Sequence, residues 1–137
     1  MTREILFRGL RTGGKGWALG SLVTTTDYIK HMPKQHTKTW IVTRAFGNGG
    51  WFNIRNRFCV RPETVGQYVG MEGKNGKMIF EGDILKEDDH MFTVVWCSEW
   101  AEFKLQHGNV IQYPGWNRGK DMEKVGNIHE NPELLEG

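Results

Sequence analysis

Four carboxylates crowd the middle of the chain. Glu81 and Asp83 flank Gly82, and Glu99 and Glu102 follow. Paired carboxylates can do acid–base chemistry or hold a metal ion. The simpler reading of Asp83 is a turn residue whose side chain accepts hydrogen bonds from nearby backbone N–H groups. Glu87, Asp88 and Asp89 read as a solvated acidic turn. His31 and His36 are five apart, which misses the i, i+4 spacing of a helical metal pair, so they read as solvated. Cys59 and Cys97 lie far apart in apolar, strand-like runs, and no CxxC is present. Both read as free, buried thiols. Gly13-Gly14-Lys15-Gly16 lacks the full GxxxxGK[ST] pattern, and Trp17-Ala18-Leu19 continues as a strand where a phosphate loop needs a helix. No Ser/His/Asp or Cys/His arrangement stands out. The expectation is a chain that is not an enzyme and uses no cofactor and no metal. A metal-assisted hydrolase built on Glu81, Asp83 and nearby histidines is the enzymatic alternative.

The basic, aromatic-rich N-terminal half is the stronger lead. Arg44, Arg55, Arg57 and Arg61 surround Phe46, Trp51 and Phe52, and Lys30, Lys34 and Lys38 precede them. Cations beside exposed aromatics suit single-stranded nucleic acid, where bases stack and phosphates pair. The candidate nucleic-acid-binding residues are Arg44, Trp51, Phe52, Arg55 and Arg57. The plainer alternative packs Trp51 and Phe52 under the loop or in a subunit interface.

Charge sharpens both alternatives. Residues 1–61 hold 11 Lys/Arg and 2 Asp/Glu, a balance of +9; residues 62–137 hold 7 and 14, a balance of −7. Unlike halves favour contact with each other, between protomers, or with nucleic acid. An acidic half repels phosphate, so contact within or between copies is the leading reading, and a homo-oligomer is expected. Exposed strand edges add a second reason to associate.

These residues need strands to position them. Lys74-Asn75-Gly76-Lys77 separates Val65, Tyr68 and Val69 from Met78, Ile79 and Phe80. Asn-Gly between apolar segments signals a hairpin with a type I′ turn. Ile84-Leu85 and Met91 to Trp96 read as further strands, in the grammar of a small antiparallel barrel. Upstream, Ile5 to Leu10 and Trp17 to Thr26 read as a hairpin around a Gly-rich turn. Tyr28 to Lys38 is polar, basic and broken by Pro33, and reads as a loop. Thr39 to Ala45 and Arg57 to Val60 are strand-forming, with Phe46 to Asn56 a Gly-Asn loop between them. Glu99 to Leu105 alternates as a half-buried strand. Val110 to Tyr113 and Glu123 to Ile128 close the series. Pro132 suits the first position of a short helical turn.

Three of these stretches carry a family resemblance. TVGQYVGMEGKNGKMIFEGDIL, VGNIHENPELLEG and ILFRGLRTGGKGWALGSL resemble the central, closing and opening motifs of the YopX-type proteins of phages and prophages. Gly73 stands where Asp is expected, and His129 where Tyr is expected. The resemblance implies a mainly β protein of antiparallel strands, with an SH3-like barrel in its C-terminal part. It implies phage or prophage origin and no established activity.

A chain of 137 residues suits one domain or two small ones sharing a core. The division expected is a basic β region over 1–61, with an N-terminal hairpin extension, and a barrel region over 62–137, or one continuous core. Burial of about 68% of the unfolded surface needs no staples at this length. The Trp and Phe content favours strands and small barrels, where large side chains fill the centre. No apolar run approaches 18 residues and the start has no signal-peptide pattern, so no membrane contact is expected. The location expected is the host cytoplasm. The leading function is a non-enzymatic binding or assembly module; the alternative is a nucleic-acid-binding protein using the basic half.

Overall fold

The computed structural model describes residues 4–14, 16–27, 30–31, 36–48, 51–112 and 121–136, without the side chains of 44–48, 51–55 and 112. The chain divides into two compact units, one from Ile5 to Gly66 and one from Gln67 onward together with Glu4. It is mainly β, with antiparallel pairing throughout the described strands.

The first unit holds β1 (Phe7–Leu10), β2 (Trp17–Asp27), β3 (His36–Asn48) and β4 (Trp51–Val60), side by side in the order β4-β3-β2-β1. Phe7 pairs with Gly20 and Leu10 with Trp17 around the Gly-rich turn, so the expected opening hairpin is present. The core is small. Ala18, Ile41 and Val60 are fully buried, with Phe7, Phe58 and Val65 packed on them. Gly9 lets Val60 in: a Cβ there would lie 2.9 Å from the Val60 Cβ. Thr64 clips the end of the unit. Its hydroxyl receives the Leu10 N–H at 2.9 Å and donates to the Arg61 carbonyl at 2.7 Å.

Two sequence expectations change in this unit. Strand β3 begins at His36, so Thr37 and Lys38 belong to a ladder with β2 instead of a loop. Residues 46–48 and 51–56 are paired strand rather than loop, with Gly47 opposite Phe52 and Asn48 opposite Trp51. Gly47, Asn48, Asn53 and Asn56, which read as loop, sit inside the ladder. Register shifts between Val42 and Arg44 and between Arg44 and Phe46 absorb the irregularity.

The second unit holds β5 (Gly66–Glu72), β6 (Met78–Phe80), β7 (Asp83–Glu87), β8 (His90–Cys97), β9 (Glu102–His107), β10 (Val110–Gln112) and β11 (Glu123–Asn127). Strands β5 and β6 pair as a hairpin, and the last five form an open sheet in the order β10-β9-β8-β7-β11. The core is Ile79, Leu85, Phe92, Val94, Leu105 and Met122, with Val69 and Met71 against it. Alternation explains it: Phe92 and Val94 on β8 face inward beside Leu105 of β9, its register partner being Val94.

The barrel expectation is met only in part. The short antiparallel strands are there, but β10 and β11 are opposite edges of the sheet and do not pair, so it does not close. The turn at Asn75-Gly76 also differs. Gly76 has φ +74°, whereas Asn75 is not among the residues with positive φ. The Gly76 N–H bonds the Gly73 carbonyl at 3.0 Å, and the Gly73 N–H bonds the Lys77 carbonyl at 2.8 Å. This is a three-residue loop in which only the last position must be left-handed, in place of a type I′ turn. Strand β9 starts at Glu102, because Ala101 at φ +52° ends a turn over residues 98–101.

Candidate functional site

The face of the first unit that turns away from its core carries a groove of about 350 Å³. Period-two alternation builds it. Ile41 points into the core, so Lys38, Trp40 and Val42 point to the other face of β3. Register then adds Val23, opposite Trp40, and Thr25, opposite Lys38, from β2. Arg57 comes from β4, opposite Val42, and Asp27 stands at the end of β2.

Trp40 is the centre of this groove. Its indole N–H donates to the Thr25 hydroxyl at 2.9 Å, which lays the ring across the β2–β3 ladder. The Arg57 guanidinium carbon lies 5.2 Å from the ring centroid, and the Lys38 ammonium 6.0 Å. Such cation–π contacts contribute about 0.5–1 kcal/mol each at exposed sites. They also hold two positive charges beside an accessible aromatic surface. With Asp27 on the rim, the groove carries a net single positive charge. Its lining offers apolar walls, one fixed aromatic ring and cations of the kind that pair with carboxylates or phosphates.

Of the residues the sequence nominated, Arg57 is in this groove. The backbones of Arg44, Trp51, Phe52 and Arg55 belong to the β3–β4 hairpin, and their side chains lie outside the described residues. Trp40 was missed. The signal was available in Lys38-Thr39-Trp40-Ile41-Val42-Thr43, where alternation puts Lys38, Trp40 and Val42 on one face.

The carboxylates do other work. Asp83 is completely buried. Its Oδ2 accepts the Phe80 N–H at 2.7 Å and pairs with the Lys124 ammonium at 3.0 Å. Lys124 also donates to the Met78 carbonyl at 3.0 Å. Asp83 thus ties β6, β7 and β11 together, a larger structural part than a local turn. Glu81 is half-buried, and that burial raises its carboxyl above the ordinary value, while a hydrogen bond from the Gln67 backbone opposes the shift. Among the described residues, no group of three His, Cys, Asp or Glu is placed to hold a metal ion. His31 and His36 are exposed, and Cys59 and Cys97 are free and half-buried. The Gly13-Gly14 turn leads into β2, so no helix N-terminus faces it.

The closing motif is also a structural knot. The Asn127 side chain accepts the His129 and Glu130 N–H groups at 3.0 and 2.9 Å and donates to Glu130 Oε1 at 3.0 Å. Ile128 N–H reaches the Gly82 carbonyl at 2.9 Å, and Gly82 N–H reaches the Val94 carbonyl at 2.8 Å. The central and closing motifs therefore meet around Gly82 and Asp83. A second groove, of about 620 Å³, lies on the outer face of β8 and β9 beneath Leu134 and Leu135. There His107 Nδ1 sits 2.9 Å from the Met91 carbonyl, with its ring edge-on to His90. This ties the ring to the strand and gives no base–nucleophile geometry.

Comparison with known proteins bears on the fold more than on the chemistry. No curated protein matches the chain. A crystal structure of protein EF1440 from Enterococcus faecalis is similar over 98% of this chain and 100% of its own, with 25% identity and a TM-score of 0.59. The description "YopX protein" matches residues 21–136, nearly the whole chain and both halves of the Asp83 and Asn127 knot. The chain belongs to the YopX family.

Proposed function

We propose that this protein is a non-enzymatic binding and assembly module of phage or prophage origin, acting in the host cytoplasm, with the Trp40 groove as its recognition surface. The observation that carries this reading is the arrangement of Trp40 between Arg57 and Lys38 on the face opposite the core. Core packing does not require a tryptophan there, and the two cations are gathered where they do not serve the buried cluster. In this reading the C-terminal unit is an SH3-like scaffold left open, whose motif residues maintain the fold. Single-stranded nucleic acid is the second reading. It is favoured by one contact, Arg57 against Trp40, since stacking and phosphate pairing use that combination.

Two variants test the proposal. Trp40→Ala loses one exposed hydrogen bond and cross-strand contacts worth roughly 1 kcal/mol, so the protein should stay folded. Arg57→Gln should leave the melting curve nearly unchanged. Both should weaken self-association, or binding of an unstructured oligonucleotide, whichever the wild type shows. Folded variants that bind as the wild type does would remove the groove from the account.

A further inference from the structure

The apolar face of the C-terminal sheet runs further than its cover. Along β8, Phe92 and Val94 are buried, but Trp96, next on the same face, is 49% exposed. Its register partner Phe103 packs edge-on to it at 5.0 Å between centroids. Trp100, in the turn between β8 and β9, is 57% exposed, with the Lys104 ammonium 4.9 Å from its centroid. Glu99 is exposed in the same turn, and Glu102 beside it is half-exposed. This end of the sheet is an aromatic patch with an acidic rim. Exposed aromatic surface ringed by charge is characteristic of an interface.

We propose that two copies of this chain dock reciprocally, the acidic β8–β9 turn of each entering the Trp40 groove of the other. The inference rests on the groove reading and names its partner. Charge complementarity selects a second copy. The groove carries Lys38 and Arg57 against one Asp27 on its rim, the turn carries the exposed Glu99, followed on β9 by Glu102, which pairs with Lys104 at 3.4 Å, and the sequence segments behind them carry +9 and −7. Nucleic acid fits less well, because the acidic half repels phosphate. Each copy brings its Trp40 groove and its β8–β9 turn, so a twofold arrangement satisfies both with the same contact made twice.

Charge exchange tests it. Lys38 and Glu99 are both exposed, so both Lys38→Glu and Glu99→Lys should stay folded, with melting lowered only slightly by the lost Lys38 contact to Trp40. Sedimentation velocity at about 50 mM salt should show a wild-type dimer that loosens as salt rises. Each variant alone meets like charge at both contacts and should dimerise at least about tenfold more weakly. An equal mixture of the two should recover dimerisation, because both contacts in the mixed pair are again of opposite sign. A wild type that stays monomeric, or a mixture no tighter than either variant alone, overturns the proposal. If that happens while Lys38→Glu abolishes oligonucleotide binding shown by the wild type, the docking fails and the groove reading stands. If Lys38→Glu changes neither association nor oligonucleotide binding, both fail.

Discussion

Lys124→Met removes the cation that neutralises Asp83 while keeping most of the side-chain stem. The carboxylate left behind has no solvent exposure and loses its lysine, while its Oδ2 keeps the Phe80 N–H. Breaking a buried pair from one side costs about 3–5 kcal/mol, chiefly because a charge stays buried without compensation. Against a total stability of about 5–15 kcal/mol for a domain, that loss is large. Asp83→Asn should cost less, roughly 1–3 kcal/mol: the amide oxygen can still accept from Phe80, and the lysine side chain, 21% exposed, can turn toward water. The double variant should be more stable than the summed single costs imply, because the two groups share one interaction. Urea denaturation at neutral pH on all four proteins gives the cycle. A Lys124→Met cost below about 1 kcal/mol, or strictly additive costs, would refute the assignment of Asp83 as a structural tie.

Other expectations follow from single residues. Gly76→Val should cost roughly 1–3 kcal/mol in chemical denaturation through backbone strain alone, since a Cβ there meets nothing within 4 Å; Gly76→Asn should be milder. Gly126→Ala should destabilise through collision, because the added Cβ would lie 2.5 Å from Asn131 Oδ1, and its effect should shrink in an Asn131→Ala background. Burial makes the ionised form of Glu81 the costly one, so stability carries a penalty that sets in as pH rises from the ordinary carboxyl value, 4.5, through the raised folded value. Glu81→Gln should remove that slope in melting curves from pH 4 to 7, and a slope unchanged by the substitution would exclude Glu81 as its source.

Much of the fold was legible where sequence spoke in strong local signals. The opening hairpin and the strands around Leu85, Val94 and Leu105 follow from alternation bounded by Gly and acidic turns. The pairing of 46–48 with 51–56 was hidden because Gly47, Asn48, Asn53 and Asn56 carry turn propensity, whereas ladder pairing between long strands decides their conformation. Asn75 was misread because an Asn-Gly pair fits two hairpin turns, and only the backbone shows which residue is left-handed. Asp83 could be recognised as a turn residue, but Lys124, 41 positions away, could not be assigned to it without the β7–β11 pairing. Trp40 went unnoticed for a similar reason: the cations that flank it come from two strands, and only the register brings Arg57 beside it.

If Trp40 lies at the binding surface, its ring should report binding directly. At 15.8 kDa the protein suits solution NMR, where each tryptophan indole N–H gives its own signal. The Trp40 signal, assigned through Trp40→Phe, should be followed as protein concentration rises and then as an unstructured oligonucleotide is added. Reciprocal docking should shift or broaden it on concentration, together with the signals of Trp96 and Trp100. A Trp40 signal that stays fixed under both titrations, while other signals report association or binding, would contradict the groove reading.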